Sequence, residues 1–174
     1  MLIRFILVLV IISAVTLAIM ACAMPGTTLG VYTVVGTPVT NTCGSGLDAP
    51  DPWDFDVELS LDGTTLYWNW LDGSSLLSGT LSSDAATMTL SQSANVDETA
   101  DGGDGPCNME RDDDLQVTVA SGAVPSTFAA TITYTFSVVS GSTCTDQLSS
   151  AGGAYDTLPC TISYALSGSY SSAQ

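Results

Sequence analysis

The side chains that most enzymes use for catalysis are nearly absent from this chain of 174 residues. It contains no histidine and no lysine, and its two basic residues are Arg4 and Arg111. These absences exclude Ser-His-Asp and Cys-His nucleophiles, histidine-ligated metals and lysine Schiff bases. The groups that remain for chemistry are the carboxylates of 18 acidic residues and the sulfurs of 5 cysteines.

Carboxylates support two kinds of site, a catalytic pair and a calcium site. Two acids could serve a glycosidase, but the acids of this chain fall on polar strand faces and in loops, so we predict no catalytic residue and no enzyme. Calcium binds roughly six to eight oxygen ligands, and Asp97, Glu98, Asp101 and Asp104 place such oxygens on a glycine-rich stretch. Their spacing matches no EF-hand, which favours a solvated acidic loop and leaves calcium as the alternative.

The acidic excess restricts the partners of the chain. A formal net charge of −16 repels phosphate backbones and anionic headgroups, and the chain has too few cations to release counterions from nucleic acid. Nucleic-acid binding is therefore excluded. Solubility in an extracellular or salty medium is the simplest explanation, and any partner should be cationic or calcium-bridged.

The N-terminus has the pattern of an export signal. One arginine precedes an apolar run from Phe5 to Met20, which is somewhat short for a membrane-spanning helix of about 20 residues. Ile19-Met20-Ala21-Cys22 resembles the lipobox of bacterial lipoproteins. The resemblance implies that residues 1–21 are a signal peptide and that Cys22 carries palmitate-type acyl chains after cleavage. Ala23 after the cysteine implies the outer membrane.

Two other interpretations of the N-terminus stay open. Ala21-Cys22-Ala23 also fits ordinary signal cleavage, which would release a soluble secreted protein beginning at Met24, and an uncleaved helix could serve as the anchor. In the lipoprotein interpretation, residues 22–29 are an acylated tether. Residues 30–174 then form a single domain close to the membrane.

The domain is predicted to be all-β. In WDFDVELSL, from Trp53 to Leu61, five apolar residues alternate with four polar ones, which is the period of a half-buried strand. About eight such strands follow one another, mostly through tight turns, which favours an up-and-down antiparallel barrel. The opening Gly30-x-Tyr32 is similar to that of lipocalin-like barrels. A two-sheet β-sandwich is the alternative, and many large inward residues, Trp68 and Trp70 among them, favour a filled interior.

The cysteines that remain after Cys22 form an even set, as expected of an exported chain that forms two disulfides. Closure brings strands one and eight together, which favours a Cys43–Cys160 bond. The junction of strands six and seven favours Cys107–Cys144. Pairing of Cys144 with Cys160 is the main competitor.

The long loops should gather at the end of the barrel that faces away from the tether. They form a predicted rim of residues 42–52, 93–107 and 140–158. Rigid strands that present loops are a frequent arrangement for recognition, so we expect a cell-envelope lipoprotein with a non-catalytic structural or binding module. A carrier of a small apolar ligand is the first alternative, and a carboxylate hydrolase is the second.

The lipobox resemblance generates the first prediction. Cys22→Ser should abolish incorporation of radiolabelled palmitate and partitioning into detergent, because the thiol that accepts the diacylated lipid group is lost. Export itself should continue. Palmitate incorporation that persists in the variant would contradict lipidation at Cys22.

Overall fold

The computed structural model describes residues 24–73, 76–82, 85–97, 107–119 and 125–172, and for 85–97 it describes the backbone alone. Within these ranges no helix has the length and apolar character needed to cross a membrane. The expected signal peptide and Cys22 lie outside the described residues.

Within the described ranges, eight strands hold most of the residues. They are β1 (Thr27–Asn41), β2 (Trp53–Asp62), β3 (Thr65–Trp70), β4 (Leu77–Ser82), β5 (Ala85–Asp97), β6 (Cys107–Val119), β7 (Thr127–Val138) and β8 (Cys160–Ser172). Two short 3-10 helices, Thr145–Gln147 and Ser149–Ala151, lie in the connection between β7 and β8.

The strands form one strongly curled antiparallel sheet. Each strand pairs with the next in the chain, and β1 pairs with β8 as well as with β2. The predicted all-β architecture of antiparallel strands is therefore confirmed. One continuous sheet replaces the two sheets of the sandwich alternative.

The outer face of β2 is less solvated than its alternating sequence predicts. Val57 and Leu59 are buried in the interior as expected, but Glu58 and Ser60 on the opposite face are also buried. Thr28 donates a hydrogen bond of 3.3 Å to the Glu58 carboxylate, and the Ser60 hydroxyl donates one of 2.6 Å to the carbonyl of Pro25. The start of the described chain thus covers this face.

The boundary between tether and domain accordingly moves toward the N-terminus. Residues 22–29 were expected to be a tether, yet β1 begins at Thr27, which pairs with Leu61. The contact of Pro25 with Ser60 fixes the chain two residues earlier. The pairing partners lie in β2, which local sequence does not reveal.

The polar, acidic stretch of residues 94–114 suggests a loop in the sequence, but its described parts, 94–97 and 107–114, belong to β5 and β6. Ladder pairs run continuously from Ser93 with Glu110 to Ala85 with Thr118, and β6 begins at Cys107 rather than near residue 114. Cys107, Met109, Leu115, Val117 and Val119 are buried at period 2. Two charged residues on the same inward face interrupt this alternation, so the positions of the apolar residues alone do not predict the strand.

Aromatic rings fill the interior along its length, as the prediction of a filled core requires. Ring contacts lead from Tyr32 to Phe128 at 5.3 Å, to Trp68 at 5.3 Å, to Trp70 at 5.4 Å and to Trp53 at 5.8 Å between centroids. We call these five residues the aromatic column. Trp68 and Trp70 are buried within it, as predicted.

Close packing around the column leaves little free space in the middle of the sheet. A Cβ at Gly168 on β8 would overlap the ring of Phe128, so this position requires glycine. At the end of the sheet where β1 begins, the Tyr32 hydroxyl donates a hydrogen bond of 2.8 Å to the carbonyl of Pro125. The column is thereby fixed at its base.

Two disulfides fasten the opposite end of the sheet, and their pairing is the one favoured above. Cys43 is bonded to Cys160, which joins the end of β1 to the start of β8. Cys107 is bonded to Cys144, which joins the start of β6 to the loop after β7. The competing bond between Cys144 and Cys160 is absent from the described residues.

The two disulfides close chain segments of different length, so their removal should lower the free energy of unfolding by different amounts. The chain-entropy estimate is about 5 kcal/mol for the 117-residue Cys43–Cys160 span and about 4 kcal/mol for the 37-residue Cys107–Cys144 span. Urea unfolding of the two paired Cys→Ser variants should therefore show the larger loss for Cys43 and Cys160. A larger loss for the other pair would contradict this order.

Candidate functional site

A half-open cavity of about 300 Å³ lies at the disulfide-fastened end of the sheet, above the aromatic column. We call it the loop-end pocket. Its walls come from the loop after β1, from β2 and from the adjacent strands β6, β7 and β8. The lining residues are Leu47, Asp48, Pro50, Trp53, Arg111, Tyr134, Phe136, Ile162 and Tyr164.

The loop of residues 42–52 supplies one wall of the pocket and is held in a defined conformation. The Asn41 side chain accepts hydrogen bonds from the backbone N–H groups of Cys43 and Gly44, at 3.0 and 3.2 Å. Gly44 has a φ of +97°, which favours glycine, and a Cβ there would overlap the Asp156 carboxylate. The turn that starts this wall therefore has little freedom to change.

The loop of residues 139–159 supports the first loop from the side. The backbone N–H of Asp156 donates a hydrogen bond of 2.7 Å to the carbonyl of Cys43, and a Cβ at Gly46 would overlap the backbone of Ala154. Tyr155 is buried, and its ring packs at 5.7 Å from that of Phe136. The two loops thus form one packed cap rather than independent solvated segments.

Arg111 is the one described basic residue, and its side chain belongs to the pocket. Its Nη2 donates a hydrogen bond of 2.8 Å to Oδ2 of Asp113. Nε lies 2.8 Å from Oδ1, but the N–H is not aligned for a hydrogen bond. The guanidinium carbon sits 5.2 Å from the ring centre of Tyr134, so the cation is held by both a carboxylate and a ring face.

Burial and charge set the protonation of the groups around Arg111. Burial raises the pKa of Asp113, and the hydrogen bond and positive charge of Arg111 only partly oppose this shift. Burial, followed by the negative charge of Asp113, raises the pKa of Tyr134. The Tyr134 phenol therefore stays neutral at physiological pH.

Two further carboxylates act on the opposite wall. The pKa of Tyr164 is raised first by burial and then by the negative charges of Asp48 and Asp51. Both aspartates are exposed, and Asp48 lines the pocket. The mouth of the pocket therefore has acidic groups beside an aromatic wall.

The predicted calcium residues fall outside this site. Asp97 is the last residue of β5, while Glu98, Asp101 and Asp104 lie outside the described residues. Among the residues that the structure describes, no group of three or more His, Cys, Asp or Glu side chains could hold a metal ion. The calcium site stays a prediction.

The predicted rim needs a correction in its middle part. Residues 42–52 and 140–158 do form the two cap loops, but 93–97 belong to β5 and Cys107 begins β6. The physical reason is that β5 and β6 pair along most of their length, so the sheet extends into this part of the predicted rim. The loop between these strands, 98–106, lies outside the described residues.

Arg111 and Asp113 are the site residues that sequence reasoning missed. They fall between Met109 and Leu115 on the inward face of β6, so period-2 alternation from Cys107 could have placed them inside the sheet. The acidic run around them suggested a loop instead. Period-2 alternation alone places Trp53, Tyr134 and Tyr164 on inward faces, in agreement with the structure, but it does not show that they meet in one cavity.

Comparisons with protein-family models, with curated proteins and with solved structures find no match to this chain.

The Arg111–Asp113 pair predicts a pH-dependent stability change. Arg111→Met leaves the buried Asp113 carboxylate without its partner, and we expect a loss of about 2 kcal/mol at neutral pH, below the value for fully buried pairs because the Arg111 side chain is 41% exposed. Urea unfolding would measure the loss. Arg111→Met combined with Asp113→Leu is the matched control and should recover most of it.

The sign of the pH dependence follows from the raised pKa of Asp113. Because the pKa of Asp113 is higher in the folded state than in the unfolded state, protonation of Asp113 favours folding. The stability lost in Arg111→Met should therefore shrink as the pH falls through the folded-state pKa of Asp113. A loss that grows toward acid pH would contradict the burial of Asp113.

Proposed function

We propose that this chain is a lipid-anchored envelope protein whose domain, a meander barrel, is a non-catalytic binding module for one small molecule. The observation that carries the proposal is the loop-end pocket, which combines aromatic walls with a few polar groups. Pockets of this composition and size are typical of small-ligand sites. The cap loops hold the pocket preformed, which lowers the cost of ordering on binding.

The filled interior limits the size and shape of the ligand. The aromatic column occupies the sheet below Trp53, so a long acyl chain has no room to descend from the mouth. A cavity of about 300 Å³ suits a compact molecule of about one ring. The pocket therefore suits a small ligand rather than the extended lipids that wide barrels carry.

The direction of the pocket follows from the proposed anchor. Pro25 contacts Ser60 near the end of β2, whereas Trp53 begins β2 at the pocket end. A lipidated Cys22 would stand only three residues before Pro25, and that length of chain spans at most roughly 10 Å. The pocket would therefore open away from the membrane, toward ligands in the surrounding medium.

The buried carboxylates favour binding over hydrolysis. Among the described residues, the buried acids are Glu58 and Asp113, and they lie on opposite faces of the sheet. Asp113 is engaged by Arg111 rather than directed at a second acid. A glycosidase would need two carboxyl groups facing one bond.

Native mass spectrometry of the full chain, purified from its own envelope, tests the proposal. We expect the wild type to carry a small bound molecule that Trp53→Ala loses, because Trp53 forms a wall of the pocket. Tyr67→Ala is the matched control, since Tyr67 is an aromatic residue between the inward Leu66 and Trp68 of β3 and so lies on the outer face.

Two results would contradict the proposal. One is a bound molecule that Trp53→Ala retains as well as Tyr67→Ala does, because the ligand would then lie elsewhere. The other is a long-chain lipid bound within the domain, because the column leaves no space for it.

A further inference from the structure

We propose that the loop-end pocket takes a small organic cation of the alkylammonium class. This inference rests on the proposed function and names the ligand of the same pocket. Three features of the site carry it: the arrangement of the rings, the charges that line the mouth, and the manner in which the protein holds its own cation.

The rings of the pocket stand at steep angles to one another. The Trp53 centroid lies 5.0 Å from that of Tyr164, at an interplanar angle of 57°, and 6.2 Å from that of Tyr134, at 54°. Phe136 completes the aromatic lining. Four aromatic side chains therefore line one small space, and the negative faces of such rings are the groups that attract ammonium ions.

The formal charges of the pocket leave an excess of negative charge. Arg111 and Asp113 form an ion pair at 2.8 Å and cancel each other. Asp48 lines the cavity, and Asp51 lies close enough to act on the Tyr164 phenol. An anionic ligand would meet these carboxylates with no free positive charge to offset them.

Arg111 shows how this pocket accommodates a cation. Its guanidinium rests over the Tyr134 ring at 5.2 Å while Asp113 neutralises it. On the other wall, the Trp53 ring contacts the Tyr164 ring, and Asp48 lines the cavity close enough for its charge to act on the Tyr164 phenol. The second wall is therefore suited to a cation from outside.

The net negative charge of the whole chain also attracts cations toward the pocket at long range. A net charge of −16 raises the local concentration of cations near the surface, and the half-open mouth exposes the pocket to that field. The preference should weaken as salt screens the exposed aspartates. A neutral or anionic ligand gains nothing from this attraction.

The test compares choline with its uncharged isostere, in which a quaternary carbon replaces the nitrogen. The two molecules match in shape, so a difference in affinity reports the charge alone. Isothermal titration calorimetry on the full chain in nonionic detergent should show at least about tenfold tighter binding of choline. Tetramethylammonium and butylammonium extend the panel.

Two variants locate the binding. Asp48→Asn should weaken choline about threefold to fivefold and leave the isostere unchanged. Asp62→Asn is the matched control, because it removes the same charge from an exposed position at the far end of β2. Trp53→Leu should reduce the preference for choline over the isostere, since the ring face is lost while an apolar side chain stays.

The outcomes separate this inference from the proposed function. Equal binding of choline and the isostere, lost in Trp53→Leu, would overturn the cation class while the binding pocket stands. No binding by any ammonium of the panel would also overturn the cation class. The proposed function would then be decided by whether native mass spectrometry finds a molecule that Trp53→Ala loses. Equal effects of Asp48→Asn and Asp62→Asn would place the cation outside the pocket and overturn the inference.

Discussion

The packing of aromatic rings inside the curled sheet is the constraint on which the rest of the structure depends. From Tyr32 to Trp53, each ring contacts the next, and Gly168 makes room for the ring of Phe128. Burial of such side chains contributes about 2 to 3 kcal/mol each, so the column supplies much of the core. Because it fills the middle of the sheet, free space remains at the loop end, where Trp53 marks its upper limit.

The loop end becomes a site because two separate restraints act there. The disulfides tie strand ends to loops at Cys43–Cys160 and Cys107–Cys144, and backbone hydrogen bonds join the two cap loops. The ion pair of Arg111 and Asp113 brings polarity into an otherwise apolar wall. Binding affinity in such a pocket gains from walls that are ordered before the ligand arrives.

Sequence alone predicted the architecture well, because strand alternation and cysteine parity are local or nearly local signals. The WDFDVELSL stretch and the inward aromatic residues are examples. It failed where tertiary contacts override the local pattern. Glu58 is buried on a face that reads as solvated, since the chain around Pro25 and Thr28 covers it. In the sequence, Arg111 and Asp113 have the pattern of loop residues. A charged side chain on an inward face is tolerated only when its partner lies beside it, and local sequence does not show that contact.

The most direct test of the account is to locate a bound ligand by NMR in the full chain. With choline bound, intermolecular NOEs should connect its N-methyl protons to the rings of Trp53 and Tyr164 at the loop end. The buried rings of Trp68 and Phe128 in the aromatic column should show none, because they are packed against each other. NOEs to Trp68 or Phe128 would contradict the filled column, and a complex without NOEs to Trp53 would contradict binding in the pocket above it.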